Sequence, residues 1–172
     1  LALFAQNYPQ INIKVQVDST RVIAKSVANR EIDIAVVGGD ISEKLKKNLE
    51  IEKFVEDELI LIVPKSHPFT FKKQKKINKD DLYNLNFITL NSTSTIHKFI
   101  DSILIQNNIE TKQFNIIMQL NSIEGIKTAV SLGLGAAFVS SSAIEKEIQL
   151  NTVEIITIEN IKIKRTLSII TN

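Results

Sequence analysis

Three consecutive hydroxyls, Ser140-Ser141-Ser142, and two histidines, His67 and His97, are the residues best equipped for nucleophilic chemistry. A serine attacks only with a base in hydrogen-bond reach, and SSSAI (140–144) lacks the glycines of a nucleophile elbow. His67 falls in the turn SHPF and His97 one helical turn past a cap, so both read as solvated side chains. Two histidines, no cysteine and no paired-carboxylate spacing leave no basis for a metal site. Asp33 opens the apolar run Ile34–Val37, at the end of a strand remote from the crevice where α/β proteins bind ligands. It reads as a cap or an ion-pair partner of Arg30 or a lysine. GLGAAF (133–138) imitates a dinucleotide fingerprint, but Phe138 occupies the third glycine place and the order is helix, glycines, strand. Gly133 reads as a helix cap and Gly135 as the entry to a buried strand. No catalytic residue, metal or cofactor is expected.

The pattern that does suggest binding is repeated four times. Asp18-Ser19-Thr20, Asn91-Ser92-Thr93-Ser94-Thr95, Asn121-Ser122 and Ser140-Ser141-Ser142 each fall where a strand gives way to a helix. One such cluster is an ordinary N-cap. Four of them, drawn from both halves of the chain, point at one crevice, where helix N-termini offer free N–H groups and the positive dipole end to a small anion.

The elements that must position these clusters follow from periodicity. INIKVQV (11–17) alternates strictly and predicts a half-buried strand; a helix from Ser19 or Thr20 to about Arg30 follows. The run 32–37 is apolar on both faces, as in a central parallel strand, so strand, helix and strand make a right-handed βαβ unit. Runs 49–55 and 58–64 read as two further strands, and Lys72, Lys73, Lys75 and Lys76 as a solvated loop. A short helix (79–85) leads to strand 87–90, where the pattern restarts. A helix capped within 92–95, strand 114–120, a helix from Asn121 or Ser122 to Gly133, strand 136–140, a serine-capped helix to Gln149 and strands 153–158 and 165–171 complete the chain. The expected fold class is α/β with two lobes, divided as 1–88 and 89–172.

Bulk properties narrow the function. A chain of 172 residues that is 44% hydrophobic and 23% charged is a folded protein, and a net charge of +2 is too small for a general nucleic-acid surface. Only Arg21, Arg30 and Arg165 could make forked contacts with phosphate or carboxylate. No apolar stretch reaches the roughly 20 residues needed to cross a bilayer, so no membrane partner is expected.

Several motifs in order resemble the effector-binding domain of LysR-type transcriptional regulators. LALFAQNYPQINIKVQV, ANREIDIAVVGG, FVEDELILIVPKSHPF, LYNLNFITLNSTS, IKTAVSLGLGAAFVSSSAI and RTLSIITN carry the resemblance along the whole chain. VDSTRVIAKSVANREIDIAVVGGDI, with the Ile-, Asn- and Lys-rich composition, narrows it to regulators of RuBisCO and carbon-assimilation operons, especially those of red-algal-type chloroplasts.

The resemblance implies two Rossmann-like subdomains joined by crossover strands, a type 2 periplasmic-binding-protein-like fold, with the first subdomain incomplete at both ends. It places an effector against Ser19, Thr20, Gly38, Asn91, Ser92, Thr93, Ser122, Ile123, Val139 and Ser140. Ser140 departs from the family, which often has proline there. Leu3, Phe4, Tyr8, Ile13 and Val15 would form a dimer interface, with dimers pairing into tetramers. DNA would be bound through a winged helix-turn-helix outside this stretch, in the chloroplast stroma or a bacterial cytoplasm. The implied effector is a small anionic metabolite: a phosphorylated sugar, 2-phosphoglycolate, a dicarboxylate or NADPH. The alternative is a periplasmic-type solute-binding protein, which shares the lobed architecture.

Overall fold

The computed structural model describes residues 1–71 and 75–172. Helices α1 (Ala2–Asn7) and α2 (Thr20–Ala28) precede strand β1 (Ile34–Val37) and the single-turn α3 (Glu43–Lys46). The long strand β2 (Glu50–Pro64) leads to β3 (Lys76–Ile77) and β4 (Asn86–Leu90), with 3-10 turns at Pro68–Phe71 and Asp80–Asn84. Then come α4 (Thr95–Gln106), β5 (Asn115–Leu120), α5 (Ile123–Ser131), β6 (Ala137–Ser140), α6 (Glu145–Gln149), β7 (Val153–Ile158) and β8 (Ile163–Thr171).

Two long strands join two lobes. β2 and β8 pair antiparallel from Glu50–Thr171 to Leu59–Ile163, slipping register once between Lys53 and Val55. At one end β1 pairs antiparallel with β8, and α2 buries Ile23, Ala24 and Val27 against Val37 and Ile170. At the other end β2 pairs with β6 and β7, and β3 runs parallel to β7. The parallel pair β4–β5 joins beside β6 through Phe87 and Ala136. Adjacent residues of β4 face opposite ways. Phe87 packs in the cluster of Ile100 and Leu104 from α4, Ile88 in that of Ile126 and Val130 from α5. Gly135 permits this junction, because a Cβ there would stand 2.5 Å from the Asn86 carbonyl oxygen.

The α/β, two-lobed class is observed, with four differences from the expected elements. The cores do not divide at residues 88 and 89. Leu59, Leu61, Val63, Ile77, Leu82 and Leu85 pack with Leu104 and Ile156, whereas Ile170 packs with the small lobe. Runs 49–55 and 58–64 are one strand: Glu56 and Asp57, which separate them, lie opposite Thr166 and Arg165 and continue the ladder. INIKVQV forms no strand among the described residues, and only Ile13 in it is half-buried. Its alternation marks a face suited to burial, but a half-buried strand also needs a neighbour to pair with. β1 is therefore not central and parallel but the antiparallel end strand of its sheet, with Ile34 59% and Val36 55% exposed.

Smaller expectations fare variously. Gly133 takes φ +86° just after α5, as a cap should. Ser141–Ala143 wind into a 3-10 turn ahead of the shorter α6. Arg30 Nε donates to Asn172 Oδ1 at 2.8 Å and not to Asp33. Lys75 pairs with Glu154 and Lys76 begins β3; Lys72 and Lys73 lie outside the described residues.

Candidate ligand-binding cleft

The open cleft between the lobes has a volume of about 780 Å³. The small lobe contributes the start of α2 and the end of β1; the larger lobe contributes Leu90 and the starts of α4 and α5. Six of the ten expected contact residues meet on its wall: Ser19, Thr20, Gly38, Asn91, Thr93 and Ile123.

The other four are placed elsewhere. Ser92 lines a separate cavity beneath α4. Ser122 is engaged as the cap of α5, its Oγ accepting the Gly125 N–H at 3.2 Å. Val139 is fully buried in the cluster beneath α5. Ser140 Oγ donates to Asp57 Oδ1 at 2.5 Å and contacts Ser142 Oγ at 2.8 Å, so its extra hydroxyl serves the crossover instead of the cleft.

The caps that do line the cleft differ from Ser122 in one respect. Neither Ser19 nor Ser94 makes a side-chain cap hydrogen bond to its helix. Asp18 Oδ1 instead accepts the Ser19 N–H at 2.6 Å. The first N–H groups of α2 and α4 therefore lack the side-chain partner a serine cap usually gives. Thr20 Oγ1, in the same lobe, is 2.9 Å from where a Cβ on Gly39 would stand, and Thr95 Cγ2, in the larger lobe, lies 2.3 Å from the same point. The two lobes touch at a glycine.

Arg165 is the functional candidate that sequence reasoning did not place. Its Nε and Nη2 both donate to Asp57 Oδ2 at 2.7 Å, a pair almost wholly buried between the crossover strands. Nη1 turns toward Gly38, 3.1 Å from where a Cβ there would stand. Arg165 also lines a second groove, of about 810 Å³, with Gly38, Gly39 and Lys98. Its only signal in the sequence is a lone arginine near the start of a strand whose other residues are half apolar.

Three titratable side chains outside the cleft, His67, His97 and Lys127, have partners within the fold. The Phe69 N–H donates to His67 Nδ1 at 3.2 Å, and burial lowers the pKa of His67, which is half-buried where a solvated ring was expected. His97 Nε2 lies 3.3 Å from Asp101 Oδ2 in α4 and is likewise largely covered. Lys127 is buried; burial opposes its charge, but hydrogen bonds to Glu124 and Glu147 outweigh that and raise its pKa. Among the described residues no three His, Cys, Asp or Glu side chains gather as a metal site would require. No helix among them is long and apolar enough to cross a membrane.

The LysR substrate binding domain family matches residues 1–172. A "Probable RuBisCO transcriptional regulator" of Thalassiosira pseudonana is 78% identical over the whole chain, which covers 56% of that relative. Relatives of the same name in Phaeodactylum tricornutum and Porphyra purpurea are 74% and 53% identical over the whole chain, which covers 55% and 54% of them. The chain thus spans about half the length of the curated relatives it matches. Among solved structures, the regulatory domain of Synechocystis PCC6803 CcmR in complex with 2-PG aligns with TM-score 0.81 at 23% identity, over 99% of this chain and 78% of that one. The effector binding domain of QuiR in complex with shikimate aligns with TM-score 0.75 at 18% identity, over 99% and 79%. The fold is the type 2 periplasmic-binding-protein-like fold of LysR effector-binding domains. With its whole length matched, this chain belongs to the LysR substrate binding domain family.

Proposed function

We propose that this chain is the effector-sensing part of a LysR-type regulator of RuBisCO and carbon-assimilation genes, and that a small anionic metabolite binds between its lobes. The observation that carries the reading is the state of the caps. Ser19 and Ser94 stand at the starts of α2 and α4 without capping them, on opposite sides of one cleft, with Arg165 Nη1 turned toward it. Free helix N–H groups, hydroxyls and one guanidinium nitrogen suit an oxyanion. The names of the relatives support the carbon-assimilation role. The 2-PG complex of CcmR makes 2-phosphoglycolate the first ligand to test, ahead of phosphorylated sugars, dicarboxylates and NADPH. Ser92, Ser122, Val139 and Ser140 are dropped from the proposed contacts; Ser94, Thr95 and Arg165 are added.

The ligand acts only through different affinities for the open and closed arrangements of the lobes. We assign residues 1–57 and 165–172 to the small lobe and 58–164 to the larger one. Self-association is assigned to α1 and residues 11–17, where Leu3, Phe4, Tyr8 and Val15 are exposed. DNA binding is assigned to a helix-turn-helix outside this chain, and the plastid stroma is the proposed location, given relatives from algae. Calorimetric titration of the full-length protein with 2-phosphoglycolate, Calvin-cycle sugar phosphates, 2-oxoglutarate and NADPH is the test. Saturable binding by one of them supports the reading; silence from all of them removes it.

A further inference from the structure

The contact between Asp57 and Arg165 departs from the usual shape of such a pair. A guanidinium and a carboxylate ordinarily meet as a fork, two nitrogens on two oxygens. Here Nε and Nη2 of Arg165 converge on one oxygen, Asp57 Oδ2, each at 2.7 Å. The other oxygen, Oδ1, is engaged elsewhere: Ser140 Oγ donates to it at 2.5 Å.

The three residues come from separate parts of the fold. Asp57 and Arg165 face each other on the crossover strands β2 and β8, and Ser140 is the last residue of β6, opposite Leu59. Only 3% of the Asp57 side chain and 11% of the Arg165 side chain are exposed, so these contacts, and not water, decide how the carboxylate is turned. With Nε and Nη2 committed to Asp57, Nη1 is the guanidinium nitrogen without a hydrogen-bond partner among the described residues. It stands beside Gly38, where Arg165 lines the cleft.

We propose that Ser140 is a positioning residue for the ligand cleft: by holding Asp57 Oδ1 it keeps both Arg165 donors on Oδ2 and Nη1 toward the anion. The inference rests on the reading that an anion binds in that cleft. Without the Ser140 hydroxyl, Oδ1 becomes a buried acceptor with no partner, which is costly. The carboxylate then turns until each oxygen takes one Arg165 nitrogen, as in the ordinary fork, and the guanidinium plane swings with it. Nη1 moves away from Gly38. Ser140 thus acts on the ligand without touching it, and it reaches from the larger lobe to an arginine assigned to the small one.

The test compares Ser140→Ala and Ser140→Thr with the wild type, all as full-length protein. One readout is calorimetric titration with 2-phosphoglycolate and the other anions named above. The second is the nitrogen NMR signal of the Arg165 Nε–H, assigned by its loss in Arg165→Lys. Ser140→Ala shifts that signal in the ligand-free protein and weakens anion binding about three- to tenfold. Ser140→Thr, which keeps a hydroxyl, returns both readouts to the wild-type values. An Arg165 signal that Ser140→Ala leaves in place, unchanged affinity in that variant, or a Ser140→Thr that behaves like the alanine variant overturns the proposal. If the signal moves but the wild type binds none of the anions, the cleft reading itself fails, and the positioning role falls with it.

Discussion

Replacing Gly39 by alanine would place a methyl group 2.3 Å from Thr95 Cγ2 and 2.9 Å from Thr20 Oγ1. Gly39 does not have a positive φ, so the substitution brings no backbone strain and its effect isolates the contact. Carbon atoms rest about 3.5–4.0 Å apart, so the start of α4 must retreat by more than about 1 Å from the small lobe. Overpacking of this size costs about 1–3 kcal/mol when the surroundings cannot move. Here the larger clash is relieved when the cleft opens, since that separates Gly39 from Thr95. Thr20, in the same lobe as Gly39, needs only a small adjustment of its hydroxyl. The strain then falls mainly on the closed form that holds ligand, and affinity drops about 5- to 150-fold. Calorimetric titration of full-length Gly39→Ala with 2-phosphoglycolate, beside a thermal melt, reads both quantities. The expected result is weakened binding with a midpoint within about 2 °C of wild type, less than 1 kcal/mol of stability in a chain this size. A lowered midpoint with intact affinity would refute the reasoning, because the strain would then reside in the fold and not in lobe closure.

Other substitutions test the neighbouring parts. Thr20→Val removes one hydroxyl and keeps the branched shape, so ligand affinity falls about three- to tenfold while the melting midpoint holds; calorimetry checks this. Asp57→Ala strands the buried Arg165 guanidinium, which should destabilise the chain by about 3–5 kcal/mol in urea unfolding. Glu154 accepts hydrogen bonds from Lys65 and Lys75, which lower its pKa below the usual carboxylate value. The stability this gives is present above the unfolded-state pKa, about 4.5, and is lost as pH falls through the lower folded-state value. Urea unfolding between pH 5 and 3 should therefore show a shallower loss of stability in Glu154→Gln than in the wild type.

What the sequence revealed depended on how local each signal was. Capped, periodic segments announced α2, α4 and α5 within a residue or two at their starts, because cap and periodicity both lie inside the segment. The neighbour of a strand does not. The alternation of 11–17 and the apolar run 34–37 stated which faces suit burial, but neither specified a partner. The crossover was hidden for the same reason: Asp57 meets Arg165 across 108 positions, so the sequence showed two short runs where the fold has one long strand. In the cleft, the hydroxyl clusters identified the right helix starts. Which hydroxyl was free depended on partners that only the fold supplies, Gly125 for Ser122 and Asp57 for Ser140.

The placement of charge around the cleft bears on which anion can work as a signal. Arg165 already faces Asp57, so much of its charge is matched, and the remaining attraction comes from helix N-termini carrying about half a positive charge each. One of these, α2, belongs to the small lobe; α4 and α5 belong to the larger. A ligand with a single acidic group is satisfied by one lobe and gains nothing from closure. A ligand with an acidic group at each end reaches both only when the lobes are together, and that difference in affinity is what shifts the population. The two helix starts meet across the width of a glycine, with Thr20 and Thr95 on either side of Gly39. A short spacer between the charges therefore suits the gap better than a sugar bisphosphate or a dinucleotide, which favours the proposed 2-phosphoglycolate, with one carbon between its carboxylate and its phosphate ester oxygen.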